Sequence, residues 1–190
     1  MPQGSETSFV SGLQHDLATR YATIAQARAA GYFRYTNEDD TGAISYANLQ
    51  WTSNDPQHPS QLWYSVDGKF LGADFSQPYR AGSPPKLWGV DPSRWQHFDA
   101  HIHWVLDAMG KETYGATSVA KFKAAGGDPE HPTAATLVAM GKAKSAGEVK
   151  RVFFFPNIWD LIVWVTPNPN GAFADKNPLV HPSANAEKMD

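Results

Sequence analysis

The segment Trp95-Gln96-His97-Phe98-Asp99-Ala100-His101-Ile102-His103-Trp104 places three of the chain's seven histidines and one carboxylate between aromatic neighbours. Neutral imidazole nitrogens bind zinc, copper, iron and nickel, provided that two or three of them converge within about 2 Å of one point. Backbone conformation decides which can converge. As a strand, the segment puts His97, Asp99, His101 and His103 on one face and Phe98, Ala100, Ile102, Trp104 and Leu106 on the other. As a helix, it lines up Trp95, Phe98, Ile102, Val105 and Met109, with Asp91-Pro92 as start, Gly110 as stop, and only His97 and His101 as neighbours. The strand is favoured because Ala108-Met109-Gly110-Lys111 reads as a hairpin tip leading into a second short run.

Asp160 is the second chemical anomaly, a carboxylate inside the apolar run Ile158-Trp159-Asp160-Leu161-Ile162-Val163-Trp164. Burying it requires a partner. The candidate metal ligands are therefore His97, His101, His103 and Asp160, holding one divalent transition ion such as Zn, Cu, Fe or Mn. Asp99 is a candidate orienter of a histidine through its second ring nitrogen. Trp88, Trp95 and Trp104 are candidate walls of a pocket for an apolar or ring-shaped ligand, or simply core aromatics.

The ion would polarise a substrate or activate water, and iron or copper would activate oxygen. The reading is a mononuclear metal-dependent enzyme, hydrolytic or oxidative. The alternatives are a non-catalytic protein that holds a small ligand or metal, and a structural domain whose histidines only hydrogen-bond. No Ser/His/Asp motif, nucleotide-binding loop or paired-glutamate arrangement argues for another catalytic class.

With 190 residues, 18% of them charged, and seven Trp, seven Tyr and ten Phe, the chain reads as one globular domain spanning residues 1–190. A net charge of −3 without a Lys/Arg cluster gives no electrostatic footprint for nucleic acid or an anionic membrane. Having no cysteine, the chain has neither disulfides nor thiolate ligands, so any metal is held by nitrogen and oxygen. No apolar run has the length of a membrane span. The N-terminus lacks the basic and apolar regions of a secretory signal, which suits a cytoplasmic protein, or a periplasmic or secreted one whose signal is gone.

The elements that must position these residues read as an α+β fold, mainly an antiparallel sheet, barrel- or sandwich-like. An N-terminal helix precedes the sheet, and short helices are inserted before the last strands. A stripe of Leu13, Leu17, Tyr21, Ile24 and Ala27 predicts one helix from about Leu13 to Ala30, stopped by Gly31. Tyr32–Tyr35 and Ile44–Trp51 read as strands around a solvated acidic loop containing Glu38, Asp39 and Asp40. Asp67-Gly68 is the strongest hairpin signal, between Gln61–Val66 and Lys69–Phe75. Residues 77–92, rich in Pro, Gly and Ser, read as an extended loop. Ser118–Ala125 and Thr133–Ala143 predict short helices packed on the sheet edge, and Val149–Phe155 with Ile158–Val165 predict the central strands. The turn-rich tail around Phe173 is expected to wrap the sheet.

The chain resembles a group of uncharacterised bacterial proteins through Ala22-Thr23-Ile24-Ala25-Gln26-Ala27-Arg28-Ala29-Ala30-Gly31-Tyr32, through Leu62-Trp63-Tyr64 with Asp67-Gly68 and Leu71-Gly72-Ala73, and through Val163-Trp164-Val165 with the tail Pro167–Asp175. His97-Phe98-Asp99-x-His101 is similar to a second uncharacterised group. These motifs are turns and hydrophobic strands, so the resemblance implies a shared fold and carries no activity. His101-x-His103 followed by Asp107 is also similar to the metal motif of cupin barrels, without that motif's glutamate or its later histidine.

Overall fold

A computed structural model describes residues 3–50 and 55–188. The chain divides into two compact units, Met1–Phe98 with Ile158–Asp190, and Asp99–Asn157. The described residues form an α+β structure of nine strands in two open antiparallel sheets, with an N-terminal helix and a few short ones. No described helix is long and apolar enough to cross a membrane.

In the first unit, α1 spans Gln3–Arg20 and α2 spans Ile24–Ala29. The single expected helix is thus two. The reason is Thr23, whose side chain accepts from Gln26 N–H while the Gln26 side chain accepts from Thr23 N–H, a capping box that starts a new helix after Tyr21. Leu13, Leu17, Tyr21 and Ala27 still point one way, into a core with Tyr46, Leu62, Tyr64, Phe75 and Leu161.

The larger sheet has the order β1-β2-β3-β4-β9-β5. Its strands are β1 (Phe33–Glu38), β2 (Ile44–Ala47), β3 (Gln61–Tyr64), β4 (Phe70–Pro78), β5 (Trp95–Phe98) and β9 (Ile158–Trp164). Gly68, with φ of 81°, turns β3 into β4 through the expected Asp67-Gly68 hairpin. Trp51, placed at the end of an expected strand, lies outside the described residues. Register sorts the two faces. Leu62, Ala73, Phe75 and Leu161 meet the helices, whereas Gln61, Trp63, Asp74, Ser76 and Asp160 share the opposite face.

The tail covers part of that second face and binds the acidic turn, which is more than a solvated loop. Val180 packs on Ala43, Trp63, Leu71 and Trp164. Buried Glu38 accepts from Ser183 N–H at 2.7 Å and from the Ser183 hydroxyl. Asp40 pairs with Lys176 at 2.8 Å, and Asp39 accepts from Thr41 N–H at 2.8 Å.

The second unit is built on the sheet β7-β6-β8, with β6 at His101–Ala108, β7 at Lys111–Ser118 and β8 at Val149–Phe155. Met109 and Gly110, at φ of 56° and 83°, make the expected hairpin tip between β6 and β7. Helices α3 (Val119–Ala124) and α4 (Ala134–Ala139) lay Phe122 and Leu137 on Ile102 and Trp104. They cover a sheet face, contrary to the expected edge position, because their apolar side chains need a surface to bury against. Only β9 is central as predicted; β8 is an edge strand of the other sheet.

Candidate functional site

The histidine segment is extended, as its alternation predicts, but it is two strands in two sheets. β5 ends at Phe98 and β6 begins at His101, so His97 belongs to the first unit and His101 and His103 to the second. His97 is exposed on an edge strand, its ring 4.1 Å from Tyr79 and 5.9 Å from Trp159, centroid to centroid. Asp160 lies next to Trp159, the register partner of His97, and therefore on the opposite face of the same sheet. Among the described residues, no three His, Asp or Glu side chains are grouped to hold one ion. Of the four candidate ligands, the structure brings together His101 and His103.

That pair is His101 and His103, two apart on β6 and therefore on one face. Their Nε2 atoms stand 2.9 Å apart. Each ring lies flat against a phenylalanine of β8, His101 on Phe155 with centroids at 4.9 Å and His103 on Phe153 at 5.5 Å, which limits their rotation. His101 Nδ1 donates to the Asp99 carbonyl at 2.7 Å. The contact with Asp99 is made by its backbone oxygen, whereas the expectation assigns its side chain the orienting role. A carbonyl only accepts, so in neutral His101 the proton is on Nδ1 and the Nε2 lone pair faces His103.

Desolvation depresses both histidines. Burial lowers His101, and burial followed by the proximity of His101 lowers His103 to about 3, against a smaller upward pull from a backbone hydrogen bond to Gly115. Both rings are neutral near pH 7. Chemically, the pair shares one proton between facing nitrogens, or presents two lone pairs to a single Lewis acid that displaces it.

Trp88, Trp95 and Trp104 all pack in or against the hydrophobic cores. Trp88 stacks on Phe9 at 5.1 Å and meets Phe75 edge-on, and Trp95 lies in the same core. Trp104 is in the core of the second unit, where Gly115 leaves room for its indole: a Cβ there would fall 2.5 Å from the ring. A cleft of about 390 Å³ in the first unit, lined by Glu6, Val10, Gln14, Arg94 and Phe173, contains none of the candidate residues.

Asp160 is nearly fully buried and accepts from the Ser76 hydroxyl at 2.8 Å, or donates to it. Its neighbourhood contains a second buried acid that sequence reasoning passed over, Asp74, whose Oδ2 takes the Trp63 indole N–H at 2.9 Å. Desolvation first, then the nearness of Asp160, raises Asp74 well above the usual carboxylate range. The signal was the one that flagged Asp160: a carboxylate in an apolar strand, here Leu71-Gly72-Ala73-Asp74-Phe75. No known protein family, curated protein or solved structure matches the chain.

Proposed function

We propose that the protein binds a divalent transition ion, Zn, Cu, Fe or Mn, through His101 and His103, and that the ion serves hydrolytic or oxidative chemistry on a small molecule. The supporting observation is the 2.9 Å separation of the two Nε2 atoms. Two nitrogens each at about 2.0–2.1 Å from one ion stand about 3 Å apart, so little movement separates the pair from a chelate. The Asp99 carbonyl fixes the tautomer that ligation by His101 Nε2 needs, the usual second contact of a metal-bound histidine. Two protein ligands leave several coordination positions for water and substrate.

Elemental mass spectrometry on tag-free protein, with Zn(II) and Cu(II) titrations, tests this reading on wild type, His101→Ala and His103→Ala. About one ion per chain, lost in both variants, supports it. No binding to wild type after reconstitution, or equal binding to all three, overturns it.

The same 2.9 Å distance favours a second reading, a Nε2–H···Nε2 hydrogen bond in a structural sheet face. In that case no ion binds, and the His103→Ala variant loses stability without losing any activity or ligand.

A further inference from the structure

We infer that Asp160 is held as a neutral acid whose proton completes a chain of hydroxyls across three strands, and that its ionisation is a pH-sensitive release of the larger sheet. This device lies in the first unit and is independent of the histidine pair.

Three oxygen–oxygen contacts run in series: Asp160 Oδ1 to Ser76 Oγ at 2.8 Å, Ser76 Oγ to Ser60 Oγ at 2.8 Å, and Ser60 Oγ to the Asp74 carbonyl at 3.0 Å. Each contact needs one hydrogen. Each serine owns one hydroxyl hydrogen, and the carbonyl owns none. Ser76 N–H also points at Ser60 Oγ, at 2.9 Å, which occupies one of that oxygen's two acceptor sites and adds no hydrogen to the series.

With Asp160 ionised, two hydrogens must serve three contacts, and one pair of buried oxygens faces lone pair to lone pair. With Asp160 protonated, every contact fills in one direction. Asp160 donates to Ser76, Ser76 to Ser60, and Ser60 to the Asp74 carbonyl. Ser60 Oγ is then saturated, giving one bond and accepting two. Since Asp160 is on β9, Ser76 on β4 and Ser60 at the entry to β3, the series ties three adjacent strands together.

The surroundings favour the neutral form. Ser60, Ser76, Asp74 and Asp160 are all buried. The titratable groups that interact across this face are themselves acids: Asp74 on β4, Tyr35 on β1, and Asp39 beyond them. Gln96, the register partner of Asp160 on β5, is uncharged. Burial raises Asp160 from 3.8 to about 7, opposed by the Ser76 hydroxyl. The folded protein therefore keeps this proton where the unfolded chain loses it. Its stabilisation is complete below about pH 4 and is lost as pH rises through 7.

Asp160→Asn supplies an amide N–H donor to Ser76 at every pH. Thermal unfolding of wild type and Asp160→Asn from pH 5 to 8.5 is compared as a difference, so that contributions of groups that do not interact with Asp160 cancel. Wild type is expected to fall by several degrees relative to the variant over that range, and parallel profiles overturn the inference. Should Asp160→Asn fail to fold, wild type with carboxyl carbon-13 aspartate decides by NMR. A carboxyl resonance that titrates near pH 7, moves in Ser76→Ala and persists in Asp74→Asn supports the chain, whereas ionisation below pH 5 of every aspartate other than Asp74 overturns it.

Discussion

His103 faces His101 across 2.9 Å, Nε2 to Nε2, while burial holds it neutral down to about pH 3. Unfolding restores the ordinary value of 6.5. The unfolded chain thus takes up a proton that the folded one refuses, so this contribution is present above pH 6.5 and is lost as pH falls toward 3. The slope is at most about 1.4 kcal/mol per pH unit. Denaturant unfolding of wild type and His103→Gln between pH 7.5 and 5 checks it: wild type should lose stability relative to the variant on acidification.

Trp63 is the only donor found for the buried Asp74 carboxyl among the described residues. Trp63→Phe keeps an aromatic ring against Trp164 and removes the indole N–H. A loss of about 1–3 kcal/mol is expected in chemical denaturation, the cost of a buried acceptor left without its donor. Unchanged stability would mean that water reaches this carboxyl.

Gly115→Ala drives a methyl group to 2.5 Å from the Trp104 indole, in the core of the second unit. Overpacking of this kind destabilises by about 1–3 kcal/mol. Hydrogen exchange should localise the effect to β6 and β7, with faster exchange at Trp104 and its neighbours.

Glu38 fastens the tail through Ser183. Glu38→Ala should free residues 180–188, seen as early proteolytic cleavage there at native conditions, with a global cost of about 1–3 kcal/mol. Protease resistance equal to wild type would show that Val180 packing, together with the Glu187 contacts to the Glu38 carbonyl and the Asn37 side chain, suffices to hold the tail.

Some of this was legible in residue type alone. Asp67-Gly68 and Met109-Gly110 turn where the backbone needs positive φ, and a short-range steric demand is written in a dipeptide. The extended conformation of the histidine segment was legible from its alternation. Its division was not, because period-two patterning continues through Asp99 and Ala100 whether the chain stays in one sheet or leaves for another. The Thr23–Gln26 box was visible but masked by apolar spacing that continues through Ile24 and Ala27. Strand order in space escaped as well: β8 and β9 both read as apolar runs, and hydrophobicity says that a strand is covered without saying which sheet it joins. Asp160 was identified as needing a partner, yet Ser76 and Ser60 are far from it along the chain and reach it only through strand register.

Phe98 and Ile158 are register partners at the end of the β5–β9 ladder, and the whole second unit lies between them in the chain. On the far side of that junction, the Asn157 side chain accepts from Ala100 N–H at 2.8 Å, clamping the unit's two ends together. For folding kinetics, this makes the second unit a loop that shortens itself. While it is unfolded, pairing β5 with β9 must close a long flexible chain; once it has folded, its tied ends lower the entropy of that closure. The expected order of events is that β6, β7 and β8 assemble first and the last ladder of the larger sheet zips afterward, so a change that slows the inserted unit also delays an edge strand to which it contributes no residue.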